Sequence, residues 1–184
     1  MKKILITGAF GFIGSHLLTE FKNSKIDFYT FSRSYKNSKT HFSGDFLATK
    51  VFDNILNEVK PEIIIHLAWE TNPGKFYEDK TNLKWSDATI DLINKFYHRG
   101  GKKFIFSSTC DEYGLERIEE NIDELKQCIP KTLYGKSKNL VTNYLEKNFK
   151  EKSVILRNFF VCGPGENKVK LLSSVITGAS NNKL

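Results

Sequence analysis

Ile4-Leu5-Ile6-Thr7-Gly8-Ala9-Phe10-Gly11-Phe12-Ile13-Gly14-Ser15-His16 is the stretch on which the fold turns. A short apolar run leads into glycines at 8, 11 and 14, and a helical apolar pattern follows to about Asn23. Glycine permits a tight strand-to-helix turn, lets backbone approach a pyrophosphate, and lets a helix pack closely on a strand. The helix N-terminus then presents unpaired N–H groups and the positive end of its dipole to an anion. Three spaced glycines say little alone; between a buried strand and an amphipathic helix they predict a seat for a dinucleotide diphosphate. Gly8, Gly11, Phe12, Ile13 and Gly14 are its expected contacts.

Outward from this turn, short apolar runs alternate with longer helical patterns. Strands are expected at Asp27–Phe31, more weakly near Thr40–Phe42, then at Glu62–Leu67, Lys103–Ser107 and Val154–Arg157. Helices are expected over Thr49–Val59, Asn82–His98 and Thr132–Phe149. In the second of these, Leu83, Ala88, Leu92, Ile93 and Phe96 mark an apolar stripe, and Gly100-Gly101 stops it. Continuously apolar strands alternating with helices predict an α/β, doubly wound parallel sheet of the Rossmann type. Ligands of such sheets sit at the carboxyl ends of the strands. Residues 1–165 form the expected dinucleotide-binding domain. Residues 166–184, with Val169, Leu172, Val175 and Ile176 in a helical pattern capped by Gly178, read as the start of an incomplete substrate-binding region.

Composition narrows the function classes. Of 184 residues, 40% are hydrophobic and 13% aromatic, too apolar for a disordered chain. No apolar run approaches the ~20 residues of a membrane span, and Met1-Lys2-Lys3 does not open a secretory leader. Cys110, Cys128 and Cys162 are odd in number and far apart, which suits a reducing cytoplasm. The four histidines form no i, i+4 pair, so no metal is expected. Net charge is +7, but lysines are spread along the chain and interleaved with acids, as in Lys150-Glu151-Lys152. Solvated helix faces fit this better than a nucleic-acid surface, with a mild pull on anionic substrates left over.

Arg33 lies 19 residues past Gly14, where an acidic residue would accept from the ribose 2′-hydroxyl of NAD. A cation flanked by Ser32 and Ser34 suits a 2′-phosphate and favours NADP over NAD, although an arginine stacked on adenine without discriminating remains open. Tyr134 and Lys138 stand one helical turn apart. That pattern alone is nearly worthless in a chain with seven tyrosines, and Tyr35 with Lys39 repeats it in a polar loop. Position separates the two: Tyr134 begins the helix after the fifth strand, and Thr109 lies just past that strand's carboxyl end. A free phenol titrates near ~10, and a neighbouring ammonium favours phenolate. Tyr134 could then move a proton at a sugar hydroxyl during hydride transfer, with Lys138 holding the nicotinamide ribose and Thr109 bonding the reacting oxygen.

With these pieces the chain resembles the extended short-chain dehydrogenase/reductases, the NAD-dependent epimerase/dehydratase family. The resemblance rests on residues 7–14, Gly44-Asp45-Phe46, His66-Leu67-Ala68, Ser107-Ser108-Thr109, Tyr134-Gly135-Lys136-Ser137-Lys138, and Arg157 through Gly163-Pro164-Gly165. It implies that Asp45 and Phe46 lie by the adenine, and Leu67, Ala68 and Trp69 by the ribose and nicotinamide. It also implies Ser107 at the cofactor and Thr109, Tyr134 and Lys138 at the reaction centre. A nucleotide-sugar would be the substrate, and two helices per subunit, 82–98 and 132–149, would form a homodimer. Three departures stand out. Cys110 interrupts the Thr-Asp-Glu run of the dehydratases, pushing Asp111 and Glu112 one place on, so epimerisation or ketone reduction is favoured over dehydration. Phe160 replaces a substrate-binding asparagine. The chain stops about 20 residues after Gly165, where family members continue, so a dinucleotide-binding sensor or an inactive fragment without turnover is the alternative.

Overall fold

The computed structural model describes residues 2–24, 26–33, 38–72, 74–114 and 121–180. Ser34, Pro73, the Tyr35 of the repeated tyrosine–lysine pattern and residues 181–184 lie outside them. The elements run β1 (Ile4–Thr7), α1 (Phe12–Asn23), β2 (Phe28–Ser32), β3 (His41–Ser43), α2 (Val51–Val59), β4 (Ile63–His66), α3 (Thr81–His98) and β5 (Lys103–Thr109). A 3-10 turn (Cys110–Tyr113), α4 (Leu133–Phe149), a second 3-10 turn (Lys150–Lys152), β6 (Ser153–Asn158) and α5 (Leu171–Ser180) complete them.

The six strands form one parallel sheet in the order β3-β2-β1-β4-β5-β6. The order reverses between β1 and β4, and at such a switch point the loops diverge and leave a crevice. Register brings Thr7 level with Phe31 on one side and His66 on the other, so three strands end together there. The doubly wound expectation is borne out.

One face carries the larger core. Leu5, Phe31, Ile64, Phe104 and Phe106 of the sheet pack with Phe46 and with Phe52 and Leu56 of α2, Trp85, Leu92, Ile93 and Phe96 of α3, and Val141 and Leu145 of α4. Each such side chain, fully buried, contributes about 1.5–3 kcal/mol. The other face is smaller, with Ile4, Ile6 and Ile65 under Ala9 and Leu18 of the α1 side. It does not extend to β6, whose outward Val154 and Leu156 stay exposed.

Two expectations change. Leu83 is not on the inner stripe of α3; it is 48% exposed, and Asn82, Trp85, Ser86 and Thr89 are buried instead. The phase is set at that end by polar side chains that face polar partners. α5 does not stop at Gly178 but runs to Ser180.

Candidate functional site

The glycine turn has the geometry its spacing requires. Gly8 sits at φ +73°, and a Cβ there would lie 2.6 Å from the Ala68 nitrogen, where the chain leaving β1 meets the chain leaving β4. A Cβ on Gly14 would lie 2.4 Å from the Gly8 carbonyl oxygen, so α1 packs directly on the turn. Gly11 caps α1 with no side-chain acceptor over the first turn. The N–H groups of Phe12, Ile13 and Gly14 therefore begin a helix whose end is open to an anion. A dinucleotide diphosphate fits this cradle: a glycine turn at the sheet's switch point, opening a helix whose first turn no side chain caps.

Around the cradle lie the other expected cofactor residues. Arg33 follows β2, but its guanidinium is paired with Glu70 at 3.3 Å. Asp45 is exposed beyond β3, its Oδ1 accepting from the Leu47 N–H at 3.1 Å. Phe46 points the other way, buried against Phe52 and stacked on Trp85 at 5.0 Å. Its ring belongs to the core, so only its main chain can reach an adenine. The Leu67 N–H donates to the Thr7 carbonyl, carrying residues 67–70 over the end of β1.

Thr109, Tyr134 and Lys138 are brought together where β5 ends. Thr132 caps α4, its hydroxyl accepting from the Gly135 N–H at 2.9 Å. A Cβ on Gly135 would lie 2.7 Å from the Asp111 carbonyl, so α4 starts close against the first 3-10 turn. The Tyr134 ring is walled by Phe76 at 4.8 Å, Tyr77 at 6.1 Å and Trp69 at 6.4 Å. Lys138 is buried; its ammonium donates to the Ser107 carbonyl at 2.8 Å and lies 4.0 Å from the Trp69 ring centre. That cation–π contact adds about 0.5–2 kcal/mol.

Burial dominates the titration of both groups. It pushes the Tyr134 phenol well above its ordinary value, while a hydrogen bond from the Thr109 hydroxyl works the other way and favours phenolate. Burial pushes Lys138 down to about 7, with the Glu112 carboxylate opposing. The lowering expected from Lys138 does not appear in the protein alone, where desolvation of the phenol dominates and the Thr109 hydrogen bond is what opposes it.

Several residues of the site were not anticipated. Asn82, fully buried, accepts from the Trp69 indole N–H at 2.8 Å and donates to the carbonyls of Phe76 and Asp79. It fixes both the indole over Lys138 and the segment that walls Tyr134. His66 bridges the Thr7 and Thr89 hydroxyls at 2.7 and 3.1 Å, and burial holds its pKa well below the usual value. Asn158 holds the Ser107 hydroxyl at 2.8 Å. The signal for Asn82 was its phase with Trp85, Ser86 and Thr89, legible only once polar residues are allowed on a buried stripe.

Residues 4–183 match the family described as NAD dependent epimerase/dehydratase. The chain is 32% identical over its whole length to a dTDP-D-glucose 4,6-dehydratase of Dictyostelium discoideum, spanning 49% of that protein. It is 28% identical over 87% of its length to a UDP-glucose 4-epimerase of Rhizobium leguminosarum bv. trifolii, spanning 52% of that protein. The chain thus spans about half the length of these curated relatives. Among solved structures, the UDP-Glc/GlcNAc 4-epimerase of Campylobacter jejuni superposes with a TM-score of 0.79 at 26% identity, over 100% of this chain and 64% of that one. The UDP-glucose 4-epimerase of Thermus thermophilus, in complex with NAD, gives 0.83 at 22% identity, over 96% and 61%, and supports the fold.

Proposed function

Because the chain belongs to the NAD dependent epimerase/dehydratase family, we propose that it seats a nicotinamide dinucleotide on the glycine turn and acts on a nucleotide-sugar. The observation that carries this is the convergence of Thr109, Tyr134 and Lys138 at the same edge of the sheet as the open N-terminus of α1. Gly8, Gly11, Phe12, Ile13 and Gly14 hold the diphosphate, Asp45 and the Phe46 main chain the adenine side, and Leu67, Ala68, Trp69 and Ser107 the nicotinamide side. Bound there, the dinucleotide supplies a carbon that accepts and returns hydride. Tyr134 moves the proton of a sugar hydroxyl, Thr109 bonds the same oxygen, and Lys138 holds the nicotinamide ribose and offsets the developing phenolate.

Epimerisation or ketone reduction suits the site better than dehydration. Glu112 is turned into the protein, bound to Arg157, and Asp111 accepts from the Thr132 hydroxyl. On the cofactor, the Arg33–Glu70 pair argues against the expectation from Arg33 alone: a 2′-phosphate must displace a carboxylate, so NAD is the better fit. Residues 1–165 carry the dinucleotide, and 166–184 begin the part that meets the sugar nucleotide. Two copies pair through the outer faces of α3 and α4, where Leu83 and Leu140 lie exposed. No helix among the described residues is long and apolar enough to cross a membrane, and the free thiols suit a cytoplasmic enzyme.

Tyr134→Phe tests the reading. With a UDP- or dTDP-hexose and NAD, turnover followed by nicotinamide absorbance and product sugar is abolished, while dinucleotide affinity stays within about three-fold, because the phenol's loss affects proton transfer and not the cradle. Turnover equal to that of the unmodified protein removes the assignment.

A further inference from the structure

Glu112 is the most deeply buried carboxylate among the described residues and has no part in the chemistry above. Four donors converge on it. Its Oε1 accepts from the Ser108 hydroxyl and, at 2.6 Å, from the Thr142 hydroxyl. Its Oε2 accepts from Arg157 Nε at 2.7 Å, and the Cys128 thiol lies 3.9 Å away. The first 3-10 turn, β5, α4 and β6 are therefore tied through one side chain. A buried carboxylate of this kind is costly to desolvate, and replacing such a pair with apolar groups is often neutral or stabilising. Fold stability is thus a weak reason for its presence.

Its neighbourhood supplies a better one. Thr142 lies one helical turn beyond Lys138 on the same buried face of α4, and side chains so spaced are neighbours. Ser108, which donates to Glu112, follows Ser107, whose carbonyl takes the Lys138 ammonium. The other groups around Lys138 do not neutralise it. Trp69 and Phe106 offer ring faces at 4.0 and 4.9 Å, Tyr134 a ring at 5.8 Å, and His66 from β4 is held neutral by burial. Asp111, on the 3-10 turn, acts on Tyr134 and Tyr77. Arg157 stands behind Glu112 and shares its second guanidinium nitrogen with Glu146 at 3.4 Å.

We infer that Glu112 is a positioning residue for the proposed reaction: its carboxylate, locked by Ser108, Thr142 and Arg157, is the counter-charge that raises the proton affinity of Lys138 beside Tyr134. The inference rests on the role given to Lys138 under the proposed function. It accounts for a carboxylate inside the fold that solvent-facing chemistry cannot use. It also explains why burial alone, which would discharge Lys138 near neutral pH, is opposed from the Glu112 side.

The test reads Lys138 itself. Protein carrying 13Cε-lysine, with the Lys138 resonance assigned by its loss in Lys138→Met, is titrated by NMR without substrate or dinucleotide. Glu112→Gln keeps an acceptor for Ser108 and Thr142 but removes the charge, and lowers the Lys138 midpoint by about one pH unit, tenfold in proton affinity. Glu112→Asp keeps the charge and holds the midpoint closer to that of the unmodified protein. Should Glu112→Gln not fold with Arg157 left unpaired, the double variant Glu112→Gln/Arg157→Gln is read against Arg157→Gln alone, so that the Glu112 charge is the one difference, and its Lys138 midpoint lies below that of Arg157→Gln. A Lys138 midpoint unchanged in the folded charge-removing variant overturns the inference and leaves Glu112 a structural tie. The titration needs no turnover, so a failed Tyr134→Phe test and a failed Glu112 test are separate results.

Discussion

Replacing Glu70 with glutamine should move the cofactor preference toward NADP. The Arg33–Glu70 pair spans 3.3 Å with side chains 61% and 27% exposed, so water screens it heavily. Two unit charges at that separation interact by about 1.3 kcal/mol in a water-like dielectric, and exposed pairs measured by double-mutant cycles return about 0.2–1 kcal/mol. Releasing Arg33 from that partner should then tighten binding of a 2′-phosphate by about 1.4- to five-fold. Removing the Glu70 carboxylate also removes its repulsion of the same phosphate, a contribution of similar size. Together they predict a shift of about two- to 25-fold in the ratio of NADP to NAD dissociation constants, larger at low ionic strength. Calorimetric titration with both dinucleotides, in the unmodified protein, Glu70→Gln and Arg33→Ala, reads the ratio directly. An unchanged ratio in Glu70→Gln at low salt would refute the reasoning. An unchanged NADP affinity in Arg33→Ala would show that the guanidinium does not face the 2′ position at all.

Two further outcomes are expected. Lys138 titrates at about 7 in the folded protein against an ordinary 10.5, so between those values the unfolded chain binds more protons and stability rises with pH; below about 7 the cost of burying the ammonium is felt in full. Lys138→Met should therefore raise the thermal midpoint near pH 6, by the equivalent of a few kcal/mol, and far less near pH 10; parallel melting curves across that range would contradict the burial argument. Leu83→Glu with Leu140→Glu should halve the mass seen by light scattering if copies pair through α3 and α4, whereas a monomer in the unmodified protein at high concentration would rule that pairing out.

What could be read from the chain, and what could not, follows from where polar residues go. The order of elements was legible because β1 and β4 are short and uniformly apolar, Ile4-Leu5-Ile6 and Ile63-Ile64-Ile65, and only a sheet covered on both faces uses such strands. The glycine turn was legible because its constraint is steric: one side-chain carbon at Gly8 or Gly14 would collide with backbone. The convergence of Thr109, Tyr134 and Lys138 was legible too, since these residues needed only strand ends and a helix start to be placed. The supporting set was hidden for the opposite reason. Asn82, Ser86 and Thr89 break the apolar stripe of α3, which drew Leu83 into it wrongly; Asn82 and Thr89 are inside because Trp69 and His66 present polar atoms to them, and Ser86 because its hydroxyl donates to the Leu83 carbonyl of its own helix.

Phe46 and Arg33 show the same limit from the other side. A residue next to a motif can turn its ring into the core, as Phe46 does, and alternation along a single chain does not reveal it. Arg33 reads as a free cation in sequence because its partner, Glu70, is 37 residues away and meets it only when β2 and β4 are set on either side of β1. Parallel sheets create such pairs systematically, since each strand end is bordered by loops distant in sequence. Charges at the carboxyl edge of this sheet therefore act as pairs assembled by the fold. The cofactor preference proposed at Arg33 turns on a carboxylate beyond a different strand, whereas the carboxylate that opposes the discharge of Lys138 lies on the turn between β5 and its own helix.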